Sequence, residues 1–69
     1  MPVGRLLKLI DTKDGLGVLI RWKGLPPSED TIEPIQKVYS DVPALLLKLF
    51  QRKTTSQSLL TRTKRKLDL

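Results

Sequence analysis

Side chains that could perform catalysis are scarce in this sequence. The chain holds no cysteine and no histidine, so the usual nucleophiles, general bases and zinc ligands are missing. The nearest approach to a carboxylate pair is Glu29-Asp30, in a polar stretch where both groups should stay solvated and ordinarily acidic. Glycines stand at positions 4, 15, 17 and 24, a spacing that matches neither a P-loop nor a dinucleotide-binding turn. We therefore expect no enzymatic activity, no metal and no cofactor.

A basic cluster near the C-terminus is the strongest charge feature. The formal net charge is +6, yet residues 1–50 carry a net charge of only +1 while residues 51–69 carry +5. The cluster consists of Arg62, Lys64, Arg65 and Lys66. Such a cluster can displace counterions from DNA or RNA, and it can equally serve as a nuclear import signal or a solubilising segment. These four residues are therefore candidates for nucleic-acid binding.

Three stretches that precede this cluster have the pattern of strands. The apolar-rich residues 3–12 lead into Asp14-Gly15, a pair typical of tight hairpin turns. Residues 16–23 alternate between apolar and other side chains, as in a strand with one buried face. Two consecutive prolines then interrupt the chain before the short β-prone segment 30–34. The pattern predicts an antiparallel hairpin and a brief third strand.

A helix is predicted over residues 42–52, with Asp41 as its N-cap. Apolar residues recur at the spacing of one helix face, at Val42, Leu45, Leu46, Leu49 and Phe50. Phe50 is expected in the core. Leu47 lies outside this stripe, so we expect it to be exposed, where it could support weak dimerisation of a chain otherwise expected to be monomeric.

The last segment, residues 54–69, has few apolar residues and most of the excess positive charge. Such a composition favours disorder, with at most transient helix near Leu59. A chain of 69 residues has room for one small domain. The sequence therefore predicts a folded module over residues 1–53 and a disordered basic tail that the fold does not need.

The segment from Val18 to Pro34 resembles the signature of chromodomains. It reads VLIRWKGLPPSEDTIEP: a hydrophobic strand, Trp-Lys-Gly, a short acidic loop and a closing Glu-Pro. With the flanking strand and helix, the resemblance covers about residues 3–52. It implies an α+β fold in which a three-stranded antiparallel sheet packs against a C-terminal α-helix.

Chromodomains of the heterochromatin-protein kind hold a methylated lysine of a histone tail between three aromatic side chains, and the tail joins the sheet as an added strand. Carried onto this sequence, the three aromatic positions fall near Gly4, on Trp22 and on Leu25. Two of the three aromatic walls are therefore missing. Ile32 stands where the family usually has a tryptophan, and we expect it to be buried.

The same resemblance suggests where a peptide would lie. The implied strand-addition groove runs between residues 2–6 and the segment Tyr39–Asp41, and Glu29 falls near its rim, where it could favour a cationic peptide or simply be solvated. Under an alternative alignment, Tyr39 could complete the aromatic cage.

A degraded cage together with Asp41-Val42-Pro43 at the helix start is similar to chromodomains at the end of integrases in gypsy-type retrotransposons. The resemblance implies a nuclear module that tethers an integrase to chromatin through a histone tail, a chromatin protein or nucleic acid. A true methyl-lysine reader and a domain that binds DNA or RNA mainly through its tail are the alternatives. No membrane partner is expected, because no apolar run approaches the roughly 20 residues of a membrane span.

Overall fold

The computed structural model describes residues 2–69, which form a three-stranded antiparallel sheet followed by three α-helices. The strands are β1 (Val3–Thr12), β2 (Gly15–Trp22) and β3 (Thr31–Pro34), and the helices are α1 (Ile35–Asp41), α2 (Pro43–Phe50) and α3 (Gln57–Lys66). A short 3-10 turn at Pro27–Glu29 precedes β3. The predicted α+β fold, a three-stranded antiparallel sheet packed against a helix, is confirmed.

The sheet has the strand order β1-β2-β3, so β1 and β3 are its edges. At one end Thr12 pairs with Gly15 across the tight turn, where Gly15 has a φ of +118° that other residues rarely adopt. At the other, open end Val3 pairs with Trp22. The two ends of this hairpin carry the two charged surfaces described below.

The core forms where the inner face of the sheet meets the helices. In β2, Val18 and Ile20 point inward, as the period-2 pattern predicts, whereas in β1 the buried Leu6 and Leu9 are three positions apart because the register shifts between Leu6 and Lys8. The fully or nearly buried apolar residues are Leu6, Leu9, Val18, Ile20, Ile35, Val38, Leu46, Leu49, Phe50 and Leu60. Phe50 is in the core and Leu47 is 43% exposed, so both predictions for α2 are confirmed.

The predicted helix over 42–52 corresponds to α2, which begins at Pro43 and ends at Phe50, and a further helix, α1, comes directly before it. Helix α1 was missed, and Asp41 is its last residue rather than the N-cap of the next helix. Proline disfavours helical backbone in the residue before it, and Val42, which precedes Pro43, has a φ of −138°. The chain therefore breaks at Val42, and α2 starts at Pro43 with no side-chain cap.

The prediction of a disordered tail was wrong, because residues 57–66 form helix α3. Ser56 caps this helix by accepting a hydrogen bond from the backbone nitrogen of Leu59 at 3.3 Å. Leu60 and Thr63, three residues or about one turn apart, are both buried against the rest of the domain. Lys and Arg side chains in the last turn also complement the helix dipole.

Helix α3 follows β1 towards the hairpin turn. Arg62 forms a 2.8 Å ion pair with Asp11 of β1, and the Lys66 ammonium lies 3.9 Å from the place that a Cβ would occupy at Gly15. Ahead of α3, Arg52 donates hydrogen bonds to the carbonyls of Leu6 and Leu7 at 2.7 and 3.3 Å. The C-terminal segment is thus attached along the length of the edge strand.

Candidate peptide-binding cleft

An open cleft of about 370 Å³ lies beside Trp22, at the open end of the hairpin. Its lining residues are Trp22, Leu25, Glu29, Thr31 and Glu33. Trp22 ends β2, and the chain then turns at Gly24, whose φ is +81°. After this turn the loop passes through Leu25, the two prolines and Glu29 and reaches the start of β3. The loop and the start of β3 form the remaining walls of the cleft.

The orientation of the Trp22 ring is fixed by hydrogen bonds. Its indole Nε1 donates to the Thr31 hydroxyl at 2.8 Å, and that hydroxyl donates to Glu33 Oε2 at 3.1 Å. Lys37, in the first turn of α1, donates to the other carboxylate oxygen of Glu33 at 3.2 Å. The indole therefore presents an aromatic surface to the cleft in a fixed orientation, with its N–H already hydrogen-bonded.

The loop that carries Leu25 and Glu29 is held at its far end by an ion pair. Arg21 and Asp30 make two hydrogen bonds, at 2.6 and 2.9 Å, in the bidentate geometry that suits guanidinium and carboxylate. Hydrogen bonding to Arg21 lowers the pKa of the Asp30 carboxyl below its ordinary value of 3.8 and raises the pKa of Arg21. The pair thus stays charged at neutral pH and fixes the end of the loop.

The charge of the cleft favours cations. Two carboxylates, Glu29 and Glu33, line it, and no Lys or Arg is among its lining residues. The Glu33 charge is partly met by Lys37, whereas Glu29 is exposed and forms no ion pair in the part of the chain that the structure describes. An aromatic face beside carboxylates is the combination that attracts an ammonium or guanidinium group.

The structure brings together three of the six predicted peptide-contacting residues, Trp22, Leu25 and Glu29. Asp41 lines a smaller crevice of about 30 Å³ on the other side of Trp22, together with Val3. The segment Tyr39–Asp41 is helical, so it cannot form one extended wall of a strand-addition groove as predicted. Tyr39 is half-buried against the core and lines neither the cleft nor the crevice.

Gly4 does not line the cleft either, and the space for a side chain at this position is tight. A Cβ built there would lie 3.0 Å from the backbone nitrogen of Lys23 and 3.1 Å from the carbonyl oxygen of Arg21. Any larger side chain at Gly4 would therefore require the backbone at Arg21 and Lys23 to shift by a few tenths of an ångström. A bulge next to Gly4, between Val3 and Arg5, shifts the register that sequence alignment assumed.

Sequence reasoning missed Thr31 and Glu33 as cleft residues. The signal was present, because residues two apart on a strand point to the same side, and both residues share that side with the Trp22 ring. Ile32 points the other way and is 48% exposed, so the expectation that it is buried was wrong. A four-residue edge strand has no second layer to cover its outer face.

The predicted nucleic-acid-binding residues lie far from this cleft. Lys64, Arg65 and Lys66 are exposed on the last turn of α3, and Arg62 forms an ion pair with Asp11. The hydrogen bond with Asp11 raises the pKa of Arg62 and lowers that of Asp11. The structure thus keeps these four residues together on a helix rather than on a disordered tail.

Comparisons with models of known families, with characterised proteins and with solved structures find no match to this chain. Within residues 2–69, no three acidic, histidine or cysteine side chains are grouped as metal ligands would be. Over the same residues, no helix has the length and apolar character needed to cross a membrane.

Proposed function

We propose that this chain is a non-catalytic, chromatin-targeting interaction module that binds a cationic peptide segment, such as a histone tail, in the Trp22 cleft. One observation carries the proposal: a tryptophan held in place by Thr31 lines an open cleft with two carboxylates and no basic residue. A lysine or arginine side chain on the indole face would gain a cation–π contact and a nearby negative charge.

The resemblance to integrase chromodomains supplies the setting for this proposal. In that setting the module acts in the nucleus and tethers a retroelement-type integrase to chromatin. Leu25 stands where chromodomains that read methyl-lysine carry one of their aromatic walls. Only one aromatic face, that of Trp22, is therefore left to contact the cation. We therefore propose recognition of basic peptide without strong dependence on lysine methylation.

Trp22 provides the test, because it is the only tryptophan in the chain and lies in the cleft. Its fluorescence should change and saturate when the domain is titrated with a basic histone-tail peptide, and should not change with an acidic peptide of equal length. Glu29→Gln should weaken binding several-fold. Asp68→Asn removes an exposed carboxylate outside the cleft and should leave binding unchanged. No saturable change with any basic peptide would refute the proposal.

The alternative, a methyl-lysine reader, predicts a different result in the same titration. One cation–π contact is worth about 0.5–2 kcal/mol, at most roughly thirtyfold, and an unmethylated ammonium keeps part of it, so trimethylated and unmethylated forms of one peptide should bind within about tenfold of each other. A preference of a hundredfold or more for the trimethylated form would favour a complete cage and the alternative function.

A further inference from the structure

The hairpin turn and the end of α3 form a second charged surface, at the opposite end of the β1–β2 hairpin from Trp22. Lys66 lies beside Gly15 of the turn, and Lys13 belongs to the same turn. With Lys64 and Arg65 on the same helical turn as Lys66, the hairpin turn and the last turn of α3 together carry four exposed cations. We call Lys13, Lys64, Arg65 and Lys66 the turn-end basic surface.

The docking of α3 fixes the directions in which these cations point. Thr63 faces the core, and successive residues are rotated by about 100° around a helix. Arg65 therefore points away from the domain, while Lys64 and Lys66 flank it on either side. Asp14 and Asp68 are the carboxylates in the same two segments, so the surface keeps a net positive charge of +2.

We propose that the turn-end basic surface binds the phosphate backbone of duplex DNA. This inference does not rest on the peptide-binding proposal, because it uses different residues. Its basis is an ordered group of cations on a docked helix, which loses less conformational freedom on binding than a disordered tail would.

The composition of the surface selects duplex backbone over bases and single strands. Single-strand binding relies on aromatic side chains on which bases stack. The three aromatic residues of the chain are Trp22, Tyr39 and Phe50, and none of them is in the hairpin turn or α3. Contacts from Lys and Arg to phosphates position a protein on DNA without reading sequence, so binding should be independent of sequence.

A membrane surface fits the same charges less well. Helices that lie on membranes insert a free apolar face beneath the headgroups. The apolar face of α3 is already used, since Leu60 is 8% exposed and Thr63 is fully buried. The outward side of α3 carries Ser58, Thr61 and Arg65, which offer nothing to insert.

The two proposed surfaces are far enough apart to be occupied together. Seven residue steps of β2 separate Gly15 from Trp22, or roughly 23 Å at 3.3 Å per residue. The whole domain extends 32 Å along its longest axis. A cationic peptide at one end and duplex DNA at the other would not compete for space.

The test is the salt dependence of binding to a fluorescent 20-base-pair duplex of arbitrary sequence, measured by anisotropy with the full 69-residue chain. If four cations each neutralise one phosphate, the logarithm of the affinity should fall with the logarithm of salt concentration with a slope of about −3.6. The triple variant K13Q/K64Q/K66Q should reduce the slope to about −0.9 and the affinity at least tenfold. The matched control R5Q/K48Q/K53Q removes three exposed cations elsewhere and should keep most of the slope.

Circular dichroism of both variants checks that the fold is kept, and Trp22 fluorescence checks peptide binding, which K13Q/K64Q/K66Q should leave unchanged. That result separates a failure of the DNA proposal from a failure of the peptide proposal. Equal losses in the two triple variants would overturn the inference, as would tighter binding to single-stranded DNA than to duplex. Binding to poly-glutamate or to anionic phosphatidylserine vesicles, with no binding to duplex, would also overturn it.

Discussion

Arg21 and Asp30 clamp the two ends of the loop that closes the Trp22 cleft, through parallel hydrogen bonds of 2.6 Å from Nε and 2.9 Å from Nη2. The loop contributes Leu25 and Glu29 to the cleft, and its length is nine residues from one partner of the ion pair to the other. The shape of the cleft therefore depends on a pair whose members are not themselves among its lining residues.

The Arg21–Asp30 pair makes a prediction about pH. Because the pKa of Asp30 is lowered in the folded state, the pair stabilises the fold above the ordinary value of 3.8 and this contribution is lost as pH falls through the lower folded value. Asp30→Asn should thus destabilise the domain at pH 7 and approach the stability of the wild type only as pH falls below 3.8 and through the lowered folded pKa. Urea unfolding at several pH values measures both. Asp14→Asn, which removes an exposed carboxylate from the hairpin turn, is the control and should show no such convergence.

Leu46 should be the most sensitive residue of α2. Its side chain is fully buried, and truncation of a buried leucine to alanine costs about 2–5 kcal/mol. Leu46→Ala should therefore lower the thermal midpoint sharply or unfold this small domain. Leu47→Ala, one position along and 43% exposed, should have a much smaller effect. Equal melting temperatures for the two variants would mean that α2 packs through a different face.

Removal of residues 54–69 should destabilise the fold. Deletion uncovers the β1 edge that Leu60 and Thr63 pack against, and the loss of one buried leucine alone is worth about 1.5–3 kcal/mol. Thermal unfolding of chains 1–53 and 1–69 compares the two directly. Equal stability would restore the original expectation of a dispensable tail.

Thr63 offers a way to strengthen the same contact. Its hydroxyl oxygen is buried without a hydrogen-bond partner in residues 2–69, which costs about 1–3 kcal/mol. Valine has the same shape and the same β-branched preference, so Thr63→Val should raise the free energy of unfolding by about 1 kcal/mol. Thr61→Val, on the exposed side of α3, should have little effect. A destabilised Thr63→Val protein would indicate that the hydroxyl has a partner.

A second aromatic wall should create methyl-lysine preference. Leu25 faces the cleft next to Trp22, so Leu25→Tyr adds an aromatic face worth about 0.5–2 kcal/mol, or roughly two- to thirtyfold in the preference for a trimethylated peptide. Leu47→Tyr places the same side chain on exposed α2 surface and should change nothing. Peptide titrations followed by Trp22 fluorescence measure both. An unchanged preference in Leu25→Tyr would show that the cation does not contact this part of the cleft.

The hairpin and the inward face of α2 could be predicted from sequence, because the turn residues and the spacing of apolar residues in these segments match the packing in the fold. Asp14-Gly15 marks the turn, and alternation in β2 places Val18 and Ile20 inside. Trp22, Leu25 and Glu29 could be grouped only through the family resemblance. The strand register near Gly4 could not be predicted, because no residue type in this segment indicates the bulge that shifts the side chains.

Helix α3 was missed for a different reason. Its buried stripe contains Thr63, a polar residue at the position where a periodic pattern needs an apolar one. The neighbouring lysines and arginines are also typical of a solvated tail, although cationic side chains equally stabilise the last turn of a helix. Only the contacts with β1, distant in sequence, separate a docked helix from a disordered segment.

Arg52 has a consequence for how this protein behaves at high concentration. An edge strand with free carbonyl groups can pair with the edge of another molecule and start aggregation. The Arg52 guanidinium binds the carbonyls of Leu6 and Leu7 in the middle of β1. The pairing of β1 with β2 shifts register at the same place, between Leu6 and Lys8. A cation and a bulge together make this part of the strand a poor template for another chain, and helix α3 covers more of the same edge, so we expect β1 not to start edge-to-edge aggregation.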